Sequence, residues 1–179
     1  MIWEIKRYDK LLAMENSFSF DCPALPGTYA LFLRLPAPAE LVIGRLGMFS
    51  FPAGDYVYTG SARGPGGLRA RLRHHLRPVQ RPHWHIDYLR AREVVTGGVY
   101  AVQEEVPAGS VPLECAWSQA LLALSDASVP VQGFGASDCG AGCRAHLVYL
   151  SRSPGDLRQL GMVLGEGVVL WSTAQNDTR

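Results

Sequence analysis

Residues 27–35, GTYALFLRL, lie between Pro26-Gly27 and Pro36, and their alternation dictates a strand stopped at both ends. A second strand is expected to end at Gly60, because ELVIGRLGMFSFPAGDYVYTG (40–60) reads as one short strand, a loop and then this second strand. The period then changes. GLRARLRHHL (67–76) is helical and stops at Pro78, and HIDYLRA (85–91) is a short helix. VVTGGVYAV (94–102) is a strand, and PLECAWSQALLAL (112–124) is the clearest helix, with Pro112 at its start. AHLVYLS (145–151), PGDLRQLGMVL (154–164) and GVVLW (167–171) read as a strand, a helix and an edge strand. This order predicts an α/β fold in which a small, mostly antiparallel sheet is flanked by helices. Residues 26–151 are expected to be the domain, with an N-terminal extension (1–25) and a C-terminal helix, strand and flexible tail (152–179).

A chain of 179 residues, 47% hydrophobic and 18% charged, suits one globular domain with additions. No run of about 18 apolar residues exists, so no membrane helix is expected. The first residues carry charges every few positions and lack an apolar signal core, and the four cysteines are too few and too scattered for a disulfide framework. Both features point to a reducing, cytoplasmic setting.

Charge is distributed unevenly. Fifteen of the 17 basic residues are arginine, and between Asp55 and Asp87 the chain carries six arginines and four histidines with no acid. Arginine bias follows from codon usage as readily as from function, yet arginine is also the residue that forks onto phosphate. On a helical wheel Leu68, Leu72 and Leu76 form an apolar stripe, Arg69, Arg73 and Arg77 leave it toward solvent, and Arg71 and His75 share its other edge. That edge is either an active-site margin or a place where long stems lie on apolar surface. GSARGPGG (60–67) lacks the Gly-Lys-Ser/Thr of a nucleotide loop, but it brings backbone N–H groups and a helix N-terminus together, an arrangement that favours an anion.

GTY (27–29), YTG (58–60), the arginine helix GLRARLRHH, the block HWHIDYL, the Glu-Cys pair at 114–115 and GFGASDCGAGCRAHL (133–147), in this order, resemble the GIY-YIG nuclease superfamily, closest to its small stand-alone Uri-like branch. The resemblance spans roughly residues 26–151. It implies a metal-dependent endonuclease acting on DNA, with catalytic Tyr29, Tyr58, Arg71, His75 and Glu114. In that scheme Glu114 holds one Mg²⁺ or Mn²⁺, Arg71 stabilises the phosphorane, and Tyr29 acts as a phenolate base with its pKa lowered by Arg71 and the metal. Gly60, Ser61, Arg69, Arg73, His74 and His85 are the expected substrate-binding residues. The threonines in the middle of both triads, Ser61 after the second, and the long segment between them depart from the family pattern. The alternative is a non-catalytic nucleic-acid-binding module using the same arginine-rich surface.

Cys139, Cys143 and His146, spaced four and three apart, resemble part of a zinc site, with His83 or His85 as a fourth ligand; the competing reading is two buried free thiols. Trp84 and Tyr88 are either stacking platforms for bases or core residues.

Overall fold

The structure is a computed structural model and describes residues 21–173 except 106 and 155. Most of the expected N-terminal extension and the tail from 174 therefore lie outside the described residues.

Six antiparallel strands form one sheet: β1 (Gly27–Leu35), β4 (Gly54–Ala62), β5 (Val94–Val102), β6 (Ala127–Ser128), β7 (Leu147–Leu150) and β8 (Val169–Ser172), in the order β6-β7-β4-β1-β5-β8. The expected α/β class, an antiparallel sheet with flanking helices, is what the chain adopts. Residues 40–53 differ from expectation. In place of a single short strand and loop, β2 (Ala39–Ile43) and β3 (Gly47–Phe51) pair as a separate hairpin. Gly44 and Gly47, both at positive φ, make its turn, and the alternation on each strand is too short to announce itself.

Strand β1 is central, and its alternation sorts the core. Tyr29, Leu31, Leu33 and Leu35 face one side, where α1 (Gly67–Leu76) brings Leu68 and Leu72 and α2 (His85–Arg90) brings Ile86 and Leu89. Ala30 and Phe32 face the other, against Trp117 and Leu121 of α3 (Leu113–Leu122) and Leu160 and Leu164 of α4 (Leu157–Leu164). A strand covered on both faces must be apolar almost throughout, and in β1 only Arg34 reaches solvent. Burying each large side chain contributes roughly 1.5–3 kcal/mol, which fixes the register of β1 against a one-residue slip.

The HWHIDYL block owes its structure to Asp87. The fully buried carboxylate accepts from the backbone N–H of His83 (2.9 Å) and Trp84 (3.0 Å) and from Arg90 Nη1 (3.2 Å). It thereby caps α2 and neutralises Arg90. Burial works to raise its pKa, but the backbone bonds from Trp84 and His83, joined by the His74 side chain, outweigh it and hold the carboxyl below its ordinary value. Arg90 in turn donates to the carbonyl of Arg77, tying α2 to the end of α1.

Candidate active site

The register places Tyr29 opposite Gly60 and Leu31 opposite Tyr58, so both tyrosines stand on one face near the start of β1. An added Cβ at Gly60 would lie 2.5 Å from the Tyr29 hydroxyl; only glycine lets that ring lie across β4. Gly135, at φ +69°, plays the same part beneath Tyr58, whose ring an added Cβ would approach to 2.8 Å. A cleft of about 670 Å³ opens here, with walls that include Tyr29, Tyr58, Arg71, Trp84, Glu114 and Asp138. Gly60, Ser61 and His146 also line it.

Each group reaches the cleft for a local reason. Arg71 leaves α1 beside the buried Leu72 and lays its guanidinium over the Trp84 ring, 4.2 Å from the centroid. Glu114 occupies the first turn of α3, where the helix dipole favours a carboxylate, and accepts a long bond (3.5 Å) from Thr28 Oγ1. Tyr29 is 2% exposed and shares a 2.8 Å hydrogen bond with Nε2 of His75, itself 1% exposed.

This pair bears on the expected Tyr29 phenolate, which burial by itself opposes. Burial pushes the phenol well above its ordinary value, the neighbouring Tyr58 adds to that, and Arg71 only partly offsets it. Tyr58 is likewise pushed up, by burial first, to about 12. His75 moves the other way: burial, reinforced by Arg90 and His74, holds it well below the usual imidazole value and therefore neutral. Burial thus disfavours the charged form of both partners, the phenolate of Tyr29 and the imidazolium of His75.

The glycine turn is also corrected. The N–H of Leu68 donates to the carbonyl of Leu25 (2.9 Å) and that of Arg69 to Pro23 (3.1 Å), while Gly67 N–H turns back to Gly64. The incoming chain thus occupies donors at the helix N-terminus that an anion would need there. Of the expected substrate-binding residues, only Gly60 and Ser61 line the cleft. Arg69 donates to the carbonyl of Cys22, and Arg73 is exposed. His74 shares a hydrogen bond with Asp87, and His85 Nδ1 accepts from the N–H of Gly135. His75 stands behind Tyr29.

His85 therefore cannot complete a zinc set, and His83 lies with the Asp87 cap. The ligand atoms of Cys139, Cys143 and His146 converge with that of Cys115, a residue the spacing argument missed. Cys139 and Cys143 are half-buried, not buried. Asp138 is a second omission; its only signal was the loop cysteine beside it. His74, His75 and Asp87 also lie close together, but Arg90 already supplies the cation there. Trp84 serves the cleft, and Tyr88 packs against the core. A smaller hollow of about 220 Å³ on the α4 side is lined by Arg34 and Asp55, which neutralise each other at 2.8 Å. Among the described residues no helix is long and apolar enough to cross a membrane.

Fold and site together define an antiparallel α/β domain with a polar cleft at one end of its sheet. The chain belongs to the family described as a domain of unknown function, DUF123, whose profile matches residues 28–164. This overturns the resemblance drawn from the triads: DUF123 is a family distinct from the GIY-YIG superfamily, and the Uri-like assignment is withdrawn. Searches of curated proteins and of solved structures found no match.

Proposed function

We propose that the cleft hydrolyses phosphodiester bonds, with DNA as substrate and one Mg²⁺ or Mn²⁺ ion as cofactor. One observation carries this reading: a guanidinium, two carboxylates and a phenol backed by a buried neutral imidazole line the same open cleft. The donor set suits a hard cation. Glu114 and Asp138 offer carboxylate oxygens to the cleft, and the long contact to Thr28 leaves most of the Glu114 lone pairs open. Such an ion, when bound, neutralises charge on the phosphate and leaving oxygen and acidifies a water.

The chain's own residues do the rest. Arg71, steadied on the Trp84 face, presents its N–H fork to a non-bridging oxygen, and its attraction grows as charge accumulates in the transition state. Ser61 adds a hydroxyl donor. A water at the Tyr29 hydroxyl is oriented by that oxygen, and a shift of the phenolic proton toward His75 Nε2 would be driven by charge on the bound phosphate, since burial alone opposes both a standing phenolate and a standing imidazolium. Tyr58 closes the apolar side of the cleft.

The second reading, a nucleic-acid-binding module without turnover, is favoured by the same burial, since two tyrosines with raised pKa values also suit a purely structural role.

The test is nicking of supercoiled plasmid and cleavage of labelled single-stranded and branched DNA, with and without Mg²⁺ or Mn²⁺. Wild type, Arg71→Ala and Glu114→Gln are compared, with DNA binding followed by fluorescence anisotropy. Metal-dependent cutting is expected, reduced about 10²–10³-fold in Arg71→Ala and lost in Glu114→Gln with binding retained. Equal cutting by Glu114→Gln, or none on any substrate, overturns the hydrolase. Binding without cutting then selects the second reading.

A further inference from the structure

We infer that Cys115, Cys139, Cys143 and His146 form a structural zinc site that clamps the start of α3 to the loop forming the far wall of the cleft. The four ligand atoms all lie within 4.8 Å of one another. Cys115 Sγ stands 3.4 Å from Cys139 Sγ and 3.6 Å from His146 Nε2. A tetrahedral zinc with Zn–S of about 2.3 Å and Zn–N of about 2.0–2.1 Å sets S···S edges near about 3.8 Å and S···N edges near about 3.6 Å. The observed spacings need only small adjustments to reach these values. They do not suit a disulfide, whose sulfurs stand about 2.05 Å apart and which leaves two of four convergent donors unused.

The surroundings point the same way. The His146 imidazole is buried beside Gly135, where an added Cβ would lie 3.2 Å from its Cβ, so its ring is closely held. His146 N–H donates to the carbonyl of Phe134, and its carbonyl accepts from Thr59 of β4, so the ligand is anchored to the sheet. Cys139 and Cys143 flank a tight turn closed by Gly142 N–H onto the Cys139 carbonyl, with Gly142 at φ +69°.

The segment joining β6 and β7 needs such a staple. It carries four glycines (133, 135, 140 and 142) and forms no helix or strand; Val131, Phe134 and Ala145 anchor its ends in the core, while the stretch around Cys139 and Cys143 is largely exposed. Connections this long without regular structure are uncommon unless something else holds them. Cys115 is the residue after Glu114, so the clamp joins the carboxylate-bearing turn of α3 to Asp138. Zinc here is a scaffold: four protein ligands leave no open position for substrate, as in other closed sites.

The test requires no nucleic acid, so its outcome is independent of the proposed hydrolysis. The full chain is purified under reducing conditions with zinc supplied, and its metal content is measured by mass spectrometry. In parallel, Co²⁺ is exchanged into wild type and the visible spectrum recorded. About one zinc per chain and an intense tetrahedral cobalt–thiolate spectrum are expected. Zinc affinity should fall at least about 10–100-fold in Cys115→Ser and in Cys143→Ser, and should be unchanged in Cys22→Ala. Clearly substoichiometric zinc with an octahedral cobalt spectrum overturns the site, and because it is read on wild type it does not depend on any variant folding. Full-affinity zinc in Cys115→Ser overturns the assignment of the fourth ligand, and a Cys115–Cys139 disulfide under these reducing conditions overturns the clamp.

Discussion

Replacing Gly60 with alanine is expected to damage the centre of the site without touching a polar group. The new Cβ would stand 2.5 Å from the hydroxyl oxygen and 2.7 Å from Cζ of Tyr29. Carbon contacts become favourable near about 3.5 Å, so the ring must retreat by about 1 Å. It has little room: Tyr29 is 2% and His75 1% exposed, and their rings lie 5.2 Å apart. Overpacking of this kind costs about 1–3 kcal/mol. Breaking the hydroxyl–imidazole bond leaves buried polar groups unpaired at about 1–3 kcal/mol more. The sum is a loss of roughly 2–6 kcal/mol, measurable by urea denaturation followed by tryptophan fluorescence. Tyr29→Phe, which removes the bond without adding bulk, should lose only about 1–2 kcal/mol. In a Tyr29→Leu background the Gly60→Ala step should cost clearly less than in wild type. A Gly60→Ala protein within about 0.5 kcal/mol of wild type would refute the packing argument.

Two further outcomes concern pH. Burial raises the Glu93 carboxyl to about 8, and neither oxygen has a hydrogen-bond partner in the structure, so the folded chain binds its proton more tightly than the unfolded one. Stability should therefore fall as pH rises from about 6.5 to 8, and Glu93→Gln should flatten that slope in denaturation series; an unchanged slope contradicts the assignment. His75, facing Arg90, His74, Asp87, Arg71 and Tyr29, is shifted the opposite way. Its contribution is complete above the ordinary imidazole pKa of about 6.5 and is lost as pH falls below it. In the Glu93→Gln background, His75→Gln should reduce the acid sensitivity; equal acid midpoints with and without His75 would count against it.

What was legible in the sequence was periodic or sharply punctuated. β1 was bounded by prolines, the α1 stripe of Leu68 and Leu72 was visible at helical spacing, and Arg71 lay on the stripe edge that opens to the cleft. Tertiary contacts decided the rest. Nothing in GSARGPGG tells that the carbonyls of Pro23 and Leu25 occupy the donors of the following helix. The protonation of Tyr29 and His75 depends on burial, which residue order does not state. Cys115 escaped the zinc pattern because it comes from a helix 24 residues before Cys139, and only the folding back of the segment between β6 and β7 brings them together. A sharper clue was present, since Cys115 adjoins the one charged residue of its helix, a glutamate in the first turn.

The most direct test of the central claim is the initial rate of plasmid nicking by wild type and Glu114→Gln at matched zinc content, with Mg²⁺ added or omitted. The account predicts cutting only by wild type and only with Mg²⁺ present, while both proteins bind DNA equally. Equal rates in the two proteins, or a wild-type rate indifferent to Mg²⁺, would contradict it.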